Sequence, residues 1–194
     1  MRNTILGALA VLAVSASAAG AQTPPPQNPG PVIPGVCVYH NARLMAQSTV
    51  GQSVQSGMQA IGQQVRTELQ PYSDAINTEL QALQAGAQTI PQAEQQQRAQ
   101  ALQQRVRELQ QLEQTRQVEL AYTQQQQMLA IATAVDPIIV QVYQERGCGL
   151  LLDRESVYVL NPAMDITDLV IQRLNQALPS LSFGRMTPPA QPAQ

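Results

Sequence analysis

Very few side chains in this sequence could carry out chemistry. Among its 194 residues the chain has one histidine, His40, and all eleven of its basic residues are arginines. The lack of lysine excludes a Schiff-base lysine and the lysine of a phosphate-binding P-loop. A single histidine excludes a multi-histidine metal site and argues against a Ser-His-Asp triad. We therefore predict a protein that is not an enzyme and that has no catalytic, cofactor-binding or metal-binding residues.

The two cysteines, Cys37 and Cys148, are the residues whose pairing would matter most. In an exported protein two cysteines often form a disulfide. This one would close a loop of about 110 residues and join the two ends of the segment between them. Two small buried thiols on neighbouring strands are the alternative, so the disulfide is a hypothesis at this point.

Two acids and the histidine have simple structural interpretations. Asp165 and Asp168 could suggest paired catalytic carboxylates, but their spacing is typical of a helix start. Asp165 would be the N-cap, and Asp168 would lie in the first turn, where the helix dipole favours negative charge. His40 has no neighbouring cysteine, histidine or paired acid in the sequence, so we interpret it as structural or exposed.

The first 21 residues resemble a secretory signal peptide. Arg2 supplies positive charge, and residues 5–14 form an apolar run that is too short to span a bilayer. Small residues then lead to Ala19-Gly20-Ala21, which suits cleavage before Gln22. We predict a soluble mature protein in the bacterial periplasm.

Proline-rich segments flank the remaining chain. Residues 22–34 contain six prolines and almost nothing to bury, which predicts an extended, disordered leader. Residues 179–194 are also rich in proline, and we predict a disordered tail.

The middle of the chain, residues 41–146, predicts a long helical hairpin. Its first half carries ten apolar residues with spacings of 4, 4 and 3, an eleven-residue repeat that keeps one apolar stripe nearly straight along a helix. The ten are Val50, Val54, Met58, Ile61, Val65, Leu69, Tyr72, Ile76, Leu80 and Leu83. Residues 86–91 would form the turn at the tip.

The returning helix has a less regular stripe, interrupted by glutamine and charged residues. We expect Pro71 to bend the outgoing helix unless neighbouring contacts suppress the bend, and Asp136-Pro137 to kink or restart the returning one. The apolar residues of the returning stripe are Leu102, Val106, Leu109, Leu112, Val118, Leu120, Tyr122, Met128, Leu129 and Ile131.

Residues 35–40 and 147–178 predict a small β-rich body at the base of the hairpin. Three apolar runs, at 36–39, 150–152 and 157–160, suggest three strands, and a helix should follow from Asp165 to about Leu178. Three strands and two slender helices cannot bury a sufficient core alone, so we predict an oligomer with a shared core. The candidate residues for that core are Val36, Val38, Leu150, Leu152, Val157 and Val159.

The base of the molecule resembles the Skp/OmpH family of periplasmic chaperones. The resemblance covers about residues 35–178, and its most specific part is the C-terminal stretch around Asp165-Ile166-Thr167-Asp168. The matching positions are residues 36–40, Arg43, Leu44, Ser48, Gly147, 150–153, Ser156, Val157, Asn161, Pro162, 165–168 and 173–175.

This resemblance implies an α+β, mainly α fold and a jellyfish-shaped homotrimer. Three subunits would each contribute three strands to the body, and their coiled-coil-like helical arms would surround a cavity. It also implies a function as an ATP-independent holdase, which binds unfolded outer-membrane proteins in that cavity. Such clients expose apolar strands and unpaired edges that aggregate readily.

The charge of the arm departs from the basic arms that are common in this family. Residues 65–135 contain five arginines and seven acids, a net charge of -2, so we expect at most weak contact with membrane surfaces and no nucleic-acid binding. Clients would then meet glutamine amides and apolar edges, although helix packing explains these apolar residues more simply. The edges in question are Met58, Ile61, Leu80, Leu83 and Leu102. The alternative function is a structural or adaptor coiled coil that docks one fixed envelope partner.

Overall fold

The computed structural model describes residues 30–189, in which two strands and four α-helices are arranged as a long hairpin on a small base. The predicted signal peptide, most of the predicted leader and the last five residues lie outside the described part. The elements are β1 (Val36–Tyr39), α1 (Asn41–Gln47), α2 (Thr49–Ala85), α3 (Gln92–Glu145), β2 (Leu150–Asp153) and α4 (Thr167–Ala177).

The two strands form a parallel pair. Val36 is opposite Leu150, and the register continues to Tyr39 opposite Asp153. Parallel neighbours need a crossover connection, and here that connection comprises α1, α2 and α3. The whole hairpin is thus an insertion between two adjacent strands of one sheet.

The third predicted strand, at residues 157–160, does not form, and this part of the prediction was wrong. The chain after β2 instead makes two 3₁₀ turns, Arg154–Ser156 and Pro162–Met164, on either side of these residues, and the Asp153 carboxylate caps the first. The guanidinium of Arg154 donates to the carbonyl of Val157. These local hydrogen bonds satisfy backbone groups that a strand would offer to a neighbour, and Tyr158 is 98% exposed.

The helical hairpin forms as the sequence predicts, with a tip between α2 and α3. Gly86 follows α2, and its carbonyl accepts hydrogen bonds from Thr89 and Ile90 that close the turn. Both helices continue through their internal prolines, Pro71 and Pro137. The expectation that α3 would restart at Pro137 is therefore not met.

The outgoing side of the hairpin consists of two helices, α1 and α2, which are separated near the base by one residue, Ser48. Ser48 ends α1 and caps α2, because its hydroxyl accepts a hydrogen bond from the backbone N–H of Gly51 at 3.1 Å. A Cβ at Gly51 would overlap the carbonyl of Met45. Ser48, which has an extended backbone conformation, therefore separates the two helices, and Gly51 allows the end of α1 to approach α2 closely.

The hydrophobic core lies at the base, where α4 packs against α1, α2 and α3. It is made of aliphatic side chains from every helix, together with Cys37 of β1 and Cys148 just before β2. Those at 2% exposure or less are Leu44, Val50, Val54, Ile131, Val142, Val170 and Leu174.

The predicted disordered tail lies, in its described part, against the hairpin. Residues 179–189 have neither helix nor strand. Leu181 and Phe183 nevertheless pack on the core, and Arg185 forms ion pairs with Glu68 and Glu119. The composition of this segment had suggested disorder, but a few large side chains and one guanidinium give it specific partners.

Candidate functional site

Side chains of α4, from the stretch that carried the family resemblance, bind the starts of both α1 and α2. The Thr167 hydroxyl accepts a hydrogen bond from the backbone N–H of His40 at 2.9 Å. The side-chain carbonyl oxygen of Asn175 accepts one from the backbone N–H of Thr49 at 2.8 Å. Both acceptors satisfy N–H groups at helix starts, which have no partner within their own helix. The motif therefore fixes the direction in which α1 and α2 leave the base.

The two predicted capping acids, Asp165 and Asp168, lie at the start of α4. Ile166 occupies the N-cap position, one residue later than predicted, while the Asp165 carboxylate accepts from the backbone N–H of Thr167 at 2.8 Å. Arg43 of α1 approaches Asp168 at 2.9 Å and Asp165 at 3.5 Å. Asp165 therefore accepts a backbone hydrogen bond at the start of α4, and both acids contact Arg43.

Cys37 and Cys148 are disulfide-bonded in the structure, with their Cα atoms 5.7 Å apart. The bond joins β1 to the turn that precedes β2, so both ends of the hairpin are held at one point. A second link lies beside it, because Arg173 of α4 donates two hydrogen bonds to the carboxylate of Glu145. This contact is the main reason why the pKa of Glu145 is lowered.

The six predicted residues of a shared core differ in exposure. Val38 is fully buried within the chain, whereas Val36, Leu152 and Val157 are partly buried. Leu150 and Val159 are 50% and 46% exposed. Three more apolar side chains, which lie close to these residues in the sequence, are also exposed: Val32, Ile33 and Tyr158. The strand edge of β2 that faces away from β1 has no partner among the described residues.

Most of the five apolar residues considered as client contacts are used in helix packing. Ile61 and Leu102 are buried, Met58 and Leu83 are partly buried, and Leu80 is 40% exposed. The simpler interpretation, packing between the arm helices, accounts for all but Leu80.

Other apolar side chains of the arm face outward. The predicted α3 stripe was wrong at Val118, Met128 and Leu129, which are exposed. On α2, Tyr72 belongs to the regular apolar stripe, but its side chain is 51% exposed. With Pro71, Ile76 and Arg105, Tyr72 lines a cleft of about 320 Å³ between the helices. The arm therefore presents scattered apolar surface rather than one closed pocket.

Six of the twelve charged side chains in residues 65–135 form ion pairs. They are Glu68, Glu79, Glu94, Arg98, Arg116 and Glu119. Arg98 binds Glu79 across the hairpin at 2.7 Å and lowers the pKa of that carboxyl. Closer to the base, Arg116 of α3 contacts both Glu68 and Glu119. Its hydrogen bonds, followed by those from the tail, lower the pKa of Glu68 to about 2. The other six are three arginines and three acids, so their charges sum to zero and leave little net charge to attract a strongly charged partner.

Sequence reasoning missed a buried polar row on α3. Glu119, Thr123 and Gln127 are all less than 10% exposed, and they continue with a spacing of four into Ile131 and Val135 of the core. That spacing was a usable signal, because it places five residues on one face of a helix. It was overlooked because the first three residues are polar.

Residues 30–189 have no group of three or more His, Cys, Asp or Glu side chains arranged to hold a metal ion. They also have no helix with both the length and the apolar character needed to cross a bilayer.

Comparison with known proteins identifies the family. The profile of the family described as "Outer membrane protein (OmpH-like)" matches residues 35–174. A crystal structure of an OmpH-like outer membrane chaperone from Caulobacter crescentus CB15 is 39% identical, with a TM-score of 0.75. That match covers 80% of this chain and 92% of the Caulobacter chain. No curated protein matches significantly. The base, the helical hairpin and the family profile together show that this chain belongs to the OmpH-like family.

Proposed function

We propose that the protein is a periplasmic, ATP-independent holdase that binds unfolded outer-membrane proteins. The observation that carries this proposal is family membership over residues 35–174, together with 39% identity to a protein described as an outer membrane chaperone. A holdase prevents aggregation by covering apolar segments, which needs no catalytic group. The signal-like residues 1–21 support export to the compartment where such clients occur.

The proposed assembly is a homotrimer built on the base. One subunit leaves Leu150 and Val159 about half exposed beside a strand whose outer edge is unpaired. An isolated two-stranded sheet is marginal in water, and an unpaired edge is a ready site for another chain. Association through β2 would cover both, and it would place three hairpins around a common axis with a cavity between them.

The client-facing surface would be the arms. Their exposed apolar residues, such as Tyr72, Leu80 and Val118, are separated by glutamines and by internally paired charges. Many weak apolar contacts suit a client that lacks fixed structure, because no single geometry has to be recognised. Contacts that are mainly apolar favour binding that depends little on salt concentration.

The test is suppression of light scattering when an unfolded outer-membrane protein is diluted from denaturant, without ATP. We expect equimolar trimer to abolish most of the scattering, and the same result at low and high salt. A soluble coiled coil of matched length is the control for non-specific effects. Unchanged aggregation at molar excess would refute the holdase.

The same experiment separates the adaptor alternative. An adaptor would leave aggregation unchanged and would recover one saturable partner from envelope extracts. Native mass at micromolar concentration tests the assembly independently. We expect three copies of a mature chain of about 19 kDa, taking roughly 110 Da for each of the 21 residues removed.

A further inference from the structure

The C-terminal segment, residues 181–188, runs outward from the base in the groove between α2 and α3; we call it the strap. Ser182 lies beside Gln127, Met186 beside Thr123, and Pro188 near Thr115, so its direction is toward the tip. The strap covers the polar row of α3 described above. It therefore explains why polar side chains can be buried on the face of a two-helix arm.

An aromatic side chain holds the start of the strap. The ring of Phe183 lies directly over Gly57 of α2, where a Cβ would overlap the ring. Phe183 is the only phenylalanine of the chain, and with Leu181 it packs against the core residues at the root of the arm. The groove thus has a recess, created by the missing side chain of Gly57, that accepts an aromatic ring.

The next contacts involve the backbone of the strap. The Gln127 side chain donates to the carbonyl of Ser182 at 3.3 Å, and the Thr123 hydroxyl accepts from the N–H of Met186 at 2.8 Å. Contacts to backbone groups do not depend on the identity of the bound residues. Thr123 and Gln127 could therefore hold the same part of another polypeptide.

Two acids then bind the guanidinium of the strap. Arg185 lies 2.8 Å from a carboxylate oxygen of Glu68 on α2 and 3.0 Å from one of Glu119 on α3. The side chain of Glu119 is only 9% exposed. Because Arg116 contacts the same two acids, the site accepts one added positive charge without leaving a buried carboxylate unpaired.

The end of the strap borders a cleft on α3. This cleft, of about 380 Å³, lies between Thr187 and Pro188 of the strap and the α3 residues from Gln111 to Glu119. Val118 lines it and is 55% exposed, so apolar surface of α3 lies uncovered beside the strap.

We propose that this groove is a binding site for an irregular polypeptide segment with an aromatic residue followed two residues later by arginine, and that the strap occupies it until a client does. The proposal rests on the holdase function proposed above, since it names the client segment and a regulation of its binding. The strap and a client then compete for the groove, and only one of them can be bound there at a time. The apparent client affinity of the free protein is lowered by the fraction of time that the groove is occupied.

The experiment uses the full mature chain and a fluorescent peptide with the sequence of residues 179–189. The variant F183S/R185S releases the strap without removing it. We expect the peptide to bind this variant about tenfold more tightly than the wild type, as it would if the strap filled the groove for about nine-tenths of the time. R185S alone is a milder release and should give an intermediate gain. Circular dichroism checks that both variants keep their helices.

Two glycines of α2 provide the matched control. G57A in the F183S/R185S background should abolish peptide binding, because its methyl group fills the recess for the ring. G62A in the same background should leave binding unchanged, because the nearest atom to its methyl group would be Arg66 Nη1 at 3.9 Å. Equal losses in both variants would show that the peptide does not bind the groove, and would overturn the proposal.

In a second measurement, an unfolded outer-membrane protein is added to the complex of the variant with the peptide. Displacement of the peptide, and a client affinity raised about tenfold in F183S/R185S, would support the proposal. Client binding that is equally strong in wild type and variant would refute the regulation while leaving the holdase intact. No client binding by either protein would refute the holdase and, with it, the client role of the groove.

Discussion

Arg116 binds Glu68 across the hairpin, with its Nε 3.1 Å from each oxygen of that carboxylate. The pair joins α3 to α2 at a level where the apolar stripe of α3 has given way to polar residues. Arg185 adds a second guanidinium to Glu68. The two helices and the strap are therefore held at one point by charge, in a region where apolar packing is thin.

This cluster predicts an acid-dependent stability. The pKa of Glu68 is about 2, below its usual value of 4.5, chiefly because Arg116 and then Arg185 donate hydrogen bonds to it. A carboxyl whose pKa is lower in the folded state stabilises the fold fully above its unfolded pKa, and that contribution is lost as the pH falls toward the folded pKa. We expect the Tm of the wild type to fall between about pH 5 and pH 2.5. The Tm of E68Q should be lower at neutral pH and should fall less over that range. E113Q, outside the cluster, is the control, and parallel curves for wild type and E68Q would contradict the prediction.

The disulfide predicts a redox-dependent stability. Reduction of the native protein should add two hydrogens to its mass, because Cys37 and Cys148 are the only cysteines. C37S/C148S should lower the free energy of unfolding by about 2–4 kcal/mol, through the loop that the bond closes. Urea denaturation measures this loss. Reductant should lower the stability of the wild type and leave that of the double variant unchanged; an equal response of both would show that the bond does not contribute.

The exposed edge of the base predicts the site of association. L150D places a charge beside the unpaired edge of β2, and burying that charge in an interface is costly. We expect native mass spectrometry to show a trimer for the wild type and a monomer for L150D. L129D makes the same change at a position on α3 that is 58% exposed, and it should remain trimeric. A trimeric L150D would place the interface elsewhere.

Replacing either of two glycines of α2 by alanine should change the free energy of unfolding in opposite directions. G51A should lower the free energy of unfolding by about 1–3 kcal/mol, because its methyl group would overlap the carbonyl of Met45 where α1 meets α2. G62A has free space and should raise it by about 0.5–1 kcal/mol, through the better helix propensity of alanine. Thermal denaturation followed at 222 nm compares the two. Equal shifts would mean that the contact at Gly51 is relaxed by a small movement of α1.

The parts of the fold that the sequence predicted correctly are those with a local signal. The 4, 4, 3 spacing specified α2, since apolar residues at helical period have one face to bury. The runs at 36–39 and 150–152 specified the two strands. Residues 157–160 are as rich in β-branched residues as 36–39, yet they form no strand. Val38 of β1 pairs on its other side with Asp165, and local hydrogen bonds around the 3₁₀ turn Arg154–Ser156 take the place of pairing with the free edge of β2. Strand formation depends on partners as well as on composition.

The strap and its groove could not be predicted in this way. Glu119, Thr123 and Gln127 are polar, so their burial depends on a segment that is about 60 residues away in the sequence. Phe183 and Arg185 stand in a proline-rich stretch whose composition is typical of disorder. Only the three-dimensional arrangement shows that Gly57 leaves room for the ring of Phe183 and that Glu68 binds the guanidinium of Arg185.

The parallel pairing of β1 with β2 sets the order in which the molecule can be completed. The first strand leaves the ribosome more than 100 residues before its neighbour, and the cysteines that join them are 111 positions apart. The helices can form as they emerge, but the sheet has to wait for the last quarter of the polypeptide. A chain interrupted between Glu145 and Leu150 would have the complete helical hairpin but not the second strand, so the sheet at its base could not form.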